Sequence, residues 1–487
     1  MAFKLHTHWS RRDLLGRAAL VLGAGAVPSL LARAQQVGSV MGALSTYMVG
    51  ARARSVPARV LEQAKFHILD TLAAMISGSQ LRPGIAALRF AAAQAAGGSA
   101  TVVATKTLLN PLEAAFVNGV LAHSDETDDS HGQSQSHPGS AVVPAALAMA
   151  EAVGASGEQF LRAVTLGYDV GPRITMALGG TAFRTDSRRS THAFAGTFGA
   201  AAAAGSLAAL DEQQMRWLLD YASQQAAGYA VWGRDTEHVE KAFVFGGMPA
   251  RAGVTAAEVV RAGWTGVDDV FSGEDNFFRV NAPGAKLELL VEALGERYEI
   301  ANTDIKKWTV GTPIQAPLDA LETLLRRHGF SVADVTEVVV RLAPAVGSVV
   351  DNRDIPDICL QHILAVMLVD GTVSFHAAHD MARMQDPIVL HERRKVRYVP
   401  DAELTALLPV RVAIVEVALR DGTRHSERVQ AVRGTPRNPM GRDEIVAKAR
   451  DLIGPVLSGA TADRLIDKLL ALETLGDIRA LRPLLQR

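Results

Sequence analysis

One short stretch limits what this chain can be. His123-Ser124-Asp125-Glu126-Thr127-Asp128-Asp129-Ser130-His131-Gly132-Gln133-Ser134-Gln135-Ser136-His137 carries four carboxylates and three imidazoles and no aliphatic side chain. On either side lie apolar runs with the texture of buried helices, Pro111 to Ala122 and Ala141 to Val153. The acids and histidines are therefore expected at the end of a helix pair, among apolar neighbours. There, carboxylate and imidazole pKa values shift and proton transfer becomes feasible at neutral pH. The segment points to an enzyme.

Helical texture extends over residues 40 to 300. Alanine-rich segments at Ala58 to Ser77, Gly84 to Ala96, Glu158 to Leu178, Ala193 to Leu210, Glu212 to Ala227 and Ala285 to Leu294 repeat apolar residues at helical spacing. After Lys306 the pattern changes. Val335 to Leu342 and Val410 to Leu419 are rich in β-branched residues, and Arg420-Asp421-Gly422-Thr423 is a hairpin turn signal. Beyond Asn438-Pro439 the helical pattern returns. The expected fold is mainly α: a helical domain over 35–300, an α+β domain over 301–433, and C-terminal helices over 434–487 that rejoin the first domain.

The first residues read as a twin-arginine export signal over 1–34. Ser10-Arg11-Arg12-Asp13-Leu14-Leu15 precedes an apolar segment from Ala18 to Leu31 and then Ala32-Arg33-Ala34. Gly23, Gly25 and Pro28 break that segment, which a spanning helix of about 20 apolar residues would rarely tolerate. The expected location is the periplasm, with the translocation machinery as a partner and no further membrane contact. Removal would take away Lys4, Arg11, Arg12, Arg17 and Arg33 but only Asp13, leaving a chain more acidic than the formal −1 of the whole. An acidic chain lacks the basic face of a nucleic-acid binder. The single cysteine, Cys359, forbids an intramolecular disulfide.

Other candidate groups stand at helix starts and turns. Arg184, Arg188 and Arg189 precede Thr191-His192, and a helix N-terminus flanked by arginines suits an anion such as a carboxylate. Lys241 stands before the apolar, glycine-bearing Phe243-Val244-Phe245-Gly246-Gly247, and Lys306-Lys307 open the second domain. For each arginine and lysine a solvated surface position is the competing reading, and for His192 a capping role. His123, Asp125, Asp128, His131 and His137 are residue types a metal accepts, yet His-Glu-x-x-His, paired Cys-x-x-Cys and an EF-hand loop are absent from the sequence. Metal is thus the minority reading. Gly-x-Gly-x-x-Gly, P-loop and Gly-x-Ser-x-Gly motifs are also missing, so no cofactor is expected.

At these residues the chain resembles the MmgE/PrpD family, which includes 2-methylcitrate dehydratase, cis-aconitate decarboxylase and iminodisuccinate epimerase. The resemblance runs from about residue 40 to 480. Its most specific pieces are Asn118-Gly119 through His123, Asp128-Asp129, His137-Pro138-Gly139, Gly167-Tyr168, His192 with Gly196-Thr197-Phe198-Gly199, Lys241 with Gly246, Lys306, and Gly434 through Pro439. It implies a large helical domain interrupted by a smaller α+β lid, a homodimer, and chemistry without a metal. It also implies Glu126, His137, His192 and Lys241 as catalytic positions and Ser130 and Lys306 as substrate-binding ones, to which Arg189 is added as a carboxylate contact. Three departures stand out: the loop between Ser130 and His137 is one residue longer than in the decarboxylase, Glu replaces Asp at 126, and Gly311 and Val350 stand where the decarboxylase has a histidine and a tyrosine. Gly311 and Val350 favour a dehydratase acting on a 2-methylcitrate-like di- or tricarboxylate. Epimerisation, decarboxylation and a non-catalytic periplasmic carboxylate binder are the alternatives.

Overall fold

Alanine and glycine set the architecture, because small side chains let helix backbones approach closely. The computed structural model describes residues 37–94 and 97–487; the segment read as an export signal lies outside them. Numbering helices of ten residues or more, α1 is Ser39–Gly50, α2 Ala58–Gly78, α3 Arg82–Ala93, α4 Pro111–Ala122, α5 Gly139–Val153, α6 Gly157–Leu178, α7 Thr191–Leu207, α8 Glu212–Gln225 and α9 Met248–Arg261. Helix α7 is central: residues 191–206 are all buried, and α5, α6, α8 and α9 pack around it. A helix apolar on every side has no other stable place. Two glycines fit it to α6, since a Cβ on Gly167 would stand 2.7 Å from the Gly199 carbonyl oxygen and one on Gly199 2.7 Å from that of Gly167.

A second hydrophobic core follows. Helices α10 (Thr312–His328) and α11 (Leu360–Asp370) cover a four-stranded sheet in the order β2-β1-β3-β4, where β1 is Val335–Leu342, β2 Val396–Pro400, β3 Ala413–Leu419 and β4 Arg424–Val429. β1 runs parallel to β2 and antiparallel to β3, with Val338 beside Val396 on one side and Val417 on the other. The β3–β4 hairpin turns through Gly422, whose positive φ of 91° suits glycine. Helices α12 (Arg442–Leu457) and α13 (Gly459–Leu470) then return, and Ile445, Ala449, Leu452, Leu465 and Ile466 join the core of the first helices.

One sequence expectation fails. Ala285 to Leu294 is no helix; it holds only a 3-10 turn at Leu287–Leu290. The Leu289 and Glu292 carbonyls accept hydrogen bonds from the buried Arg173 guanidinium (3.3 and 2.7 Å), and Pro283-Gly284 and Gly295 delimit the segment. Its backbone is used across the fold instead of along a helix.

Candidate active site

Two close backbone contacts and one side-chain tether build the site. Helix α4 starts at Pro111 behind an Asn110 cap and ends at His123, delivering the acid loop. Against it packs a wide π turn, Phe243–Gly247: a Cβ on Gly246 would stand 2.0 Å from the Gly119 carbonyl oxygen, so only glycine permits the approach. The contact brings Lys241 and Phe245 to the loop. Ser130 and Asp304 pair backbone to backbone (3.0 and 2.8 Å), which sets Lys306, two residues on, beside the loop from the other end. The start of α7, capped by Ser190, is tied in by the Thr191 hydroxyl donating to the Gln135 carbonyl (2.6 Å).

All four loop carboxylates are buried, and each has its own partner. Glu126 meets the Lys241 ammonium, with His238 Nδ1 at 4.0 Å. Asp128 accepts from His123 Nδ1 (2.8 Å) and lies near His137 Nδ1 (3.2 Å) and Lys306 Nζ (3.6 Å). Asp129 accepts from His67 Nδ1 (2.9 Å), the Tyr168 hydroxyl (2.5 Å) and the Gly139 amide (3.1 Å). Asp125 stands 2.8 Å from His379 Nε2. The loop backbone is held as well: Lys306 donates to the Glu126 carbonyl (2.7 Å), and Lys448 of α12 to the Thr127 carbonyl (3.1 Å) while paired with Asp70 (2.6 Å). Desolvating one carboxylate costs several kcal/mol, so four in one loop require this matching.

The imidazoles line one face. His192 stacks on Phe245 with ring centres 3.6 Å apart, and His137 stacks on His192 at 5.0 Å. Trp232 meets His192 edge-on at 5.9 Å, and Lys241 Nζ lies 5.3 Å from the Phe245 ring and 5.6 Å from that of Trp232. His192 Nδ1, His123 Nε2, His238 Nε2 and Trp232 Nε1 are buried and make no hydrogen bond among the described residues.

Burial works on each group, and its neighbours decide the net result. Burial raises Glu126 and Asp128, but Lys241 and His238 around the first, and His123 and His137 around the second, with Lys306 beside both, outweigh it and hold both carboxyls well below the ordinary range. Burial, followed by the nearby His137 and Arg184, holds His192 well below the usual histidine value; burial and Lys241 do the same to His238. The site thus combines ionised acids, neutral imidazoles and two ammonium groups, a set suited to moving a proton beside bound carboxylates.

The loop's Glu126, Asp128 and His137 come together with His192, Lys241 and Lys306. Ser130 acts there through its backbone. Arg189 is different: its guanidinium is engaged by Asn281, and of its neighbours it is Arg184 that reaches the loop, at Gln135 (3.5 Å). His131 lies outside the cluster, bonded to Ser134 and 3.4 Å from Glu299. Of the five metal-ligand types in the loop, His123, Asp128 and His137 have ligand atoms within 4.8 Å of one another. In the present geometry both imidazole Nδ1 atoms and the Lys306 ammonium surround the Asp128 carboxylate. Sequence reasoning missed His67, His238, Trp232, Asp357, His379 and Lys448, where a polar residue in another segment reads as surface or core, and it named Tyr168 within the resemblance without a role.

The MmgE/PrpD N-terminal domain matches residues 42–290 and the MmgE/PrpD C-terminal domain residues 308–473. Among curated proteins, a cis-aconitate decarboxylase of Aspergillus terreus is 27% identical over 88% of this chain and 92% of its own length. The human cis-aconitate decarboxylase is 26% identical over 92% of this chain and 95% of its own. A cis-aconitate decarboxylase-like protein oryM of Aspergillus oryzae is 26% identical over 92% and 97%.

Proposed function

The chain belongs to the MmgE/PrpD family, and from that premise we propose that it is a lyase acting on a small tricarboxylate without a cofactor, by decarboxylation of a cis-aconitate-like substrate. The observation that carries this reading is the convergence of Lys241 and Lys306 with buried histidines on one acid loop. Lys241 and Lys306 pair with substrate carboxylates. Loss of carbon dioxide breaks a carbon–carbon bond and leaves its electron pair on the substrate carbon, delocalised toward a remaining carboxylate. A proton passed to that carbon by way of His137, with the neutral His192 stacked beside it, then quenches the charge. Neutral imidazoles beside fixed cations suit a reaction that gathers negative charge.

The relatives' names favour decarboxylation over the dehydratase chemistry expected from the sequence. Dehydration is the second reading, favoured by Gly311 and Val350. Gly311 heads α10 with its amide donating to the Asp357 carbonyl (2.9 Å), and Val350 is buried in the second core, so neither offers a polar side chain. Closure of the sheet-bearing part as a lid, pairing of two copies, and export to the periplasm belong to the same proposal.

Chelator-treated protein incubated with cis-aconitate, and separately with 2-methylcitrate, distinguishes these readings. Release of carbon dioxide from cis-aconitate is expected. Water loss from 2-methylcitrate alone would select the second reading, and turnover that returns only with added metal would overturn the metal-free part.

A further inference from the structure

One cluster beside the site has no part in the scheme above. His379 ends the short helix Phe375–His379, whose first turn is capped by Ser374 and whose Phe375 amide donates to Asp451 of α12 (2.9 Å). Its Nδ1 donates to the Phe375 carbonyl (2.7 Å), which turns Nε2 toward Asp125 Oδ2 at 2.8 Å and Asp357 Oδ2 at 3.8 Å. Asp125 and Asp357 are both buried, and the pair joins the acid loop to the later part of the chain.

Asp125 precedes Glu126 in the chain, and besides this ion pair its carboxylate accepts hydrogen bonds from Thr127, from the amide at 3.1 Å and from the hydroxyl. Fixing Asp125 therefore fixes the residues on both sides of Glu126. We propose that His379 is a positioning residue, a clasp that holds Asp125 and thereby sets Glu126 against Lys241 for the reaction. The proposal rests on the reading of Glu126 and Lys241 as working groups. It adds a contact that neither the loop nor the lysines supply.

The electrostatics agree. Burial alone would lower His379, but the Asp125 carboxylate, then Asp357, raise it to about 9, so the clasp is an imidazolium at neutral pH. The groups facing the cluster are Asp125 from the acid loop and Asp357 from the turn before α11, with Glu126 and Lys241 close behind. Burial, with Glu126 and Asp125 as further contributors, raises Asp357 to about 7 despite His379. A histidine raised in the folded state stabilises fully below its unfolded value. It loses that contribution as pH rises through about 9.

The test uses the full chain with His379→Gln, Asp125→Asn and both together. Turnover should fall by about 10- to 100-fold with a smaller change in KM, the scale expected when a reacting group is displaced by about 1 Å. The double variant should be no worse than either single one, since both remove one contact. Amide hydrogen exchange across residues 123–131 should quicken in each variant without any substrate present. The wild-type rate should fall as pH rises through about 9, and His379→Gln should lack that limb. Wild-type turnover and wild-type loop exchange in the variants would overturn the proposal, as would a lower melting temperature with an unchanged rate and pH profile. If the wild-type protein turns over no polycarboxylate, the functional reading fails, and the exchange comparison still decides whether the clasp exists.

Discussion

The two cores treat charge in opposite ways. Around the first, carboxylates are drawn inside and each is matched by a lysine or imidazole: Glu126 with Lys241, Asp128 with His123, Asp129 with His67. Around the second, ion pairs lie mainly on the rim, as with Arg327 and Glu427 at 2.6 Å or Arg397 and Glu337 at 3.1 Å, with the arginines more than half exposed, the buried Glu392 beside Lys395 at 2.8 Å being an exception. Rim pairs contribute about 0–1 kcal/mol, whereas each buried charge costs several kcal/mol before its partner offsets it. Stability accounts for the rim but gives little reason to bury four acids in one loop. On the proposed function, the difference puts the chemistry at the helical core and gives the sheet-bearing core a supporting role, reaching the site through Asp357 and His379.

The largest expected effect tests that division directly. His192→Gln or Lys241→Met should lower the turnover rate by about 10²- to 10⁴-fold, the usual worth of a positioned proton-transfer group; His192→Gln should change the melting temperature little, whereas Lys241→Met should also lower it, because it leaves Glu126 buried without its cation. Steady-state kinetics beside thermal unfolding reads both. If these variants melt early yet turn over normally, the histidine and lysine are structural and the comparison breaks. Next in size is Leu364→Ala, at a fully buried position in the second core. It should destabilise by about 2–5 kcal/mol in denaturant unfolding while leaving the rate per folded molecule nearly intact. A rate loss beyond the folded fraction would mean that the second core shapes the chemistry itself. The smallest effect belongs to Arg327→Ala, which should change stability by under about 1 kcal/mol and the rate not at all.

What can be read from the sequence follows composition and local order. Residues 123–137 announce themselves because no other stretch concentrates acids and histidines between apolar helices, and the β-branched runs at Val335 and Val410 mark the sheet. Apart from Lys241 and Lys306, the loop's partners are hidden. His67 and Tyr168 lie inside apolar helices, where a lone polar residue reads as core, and only the packing of α2 and α6 beneath the loop turns them toward Asp129. His379 sits in a five-residue helix too short for a periodic signal. Arg189 misleads because a basic run before a helix says nothing of Asn281, far along the chain and bonded to its guanidinium. The segment after Ala285 carries helical spacing, yet Arg173 takes its carbonyls.

The most direct test of the central claim, that the acid loop with Lys241 and Lys306 is a site for carbanion chemistry on a polycarboxylate, is solvent deuterium incorporation. Chelator-treated protein is held with cis-aconitate in deuterated water, and recovered substrate and product are examined by NMR. The account predicts deuterium at a carbon next to a carboxylate with the wild-type chain, and a loss of about 10²-fold or more with Lys241→Met or His192→Gln. Equal incorporation by wild type and both variants, or none by wild type with any of a series of di- and tricarboxylates, would contradict it.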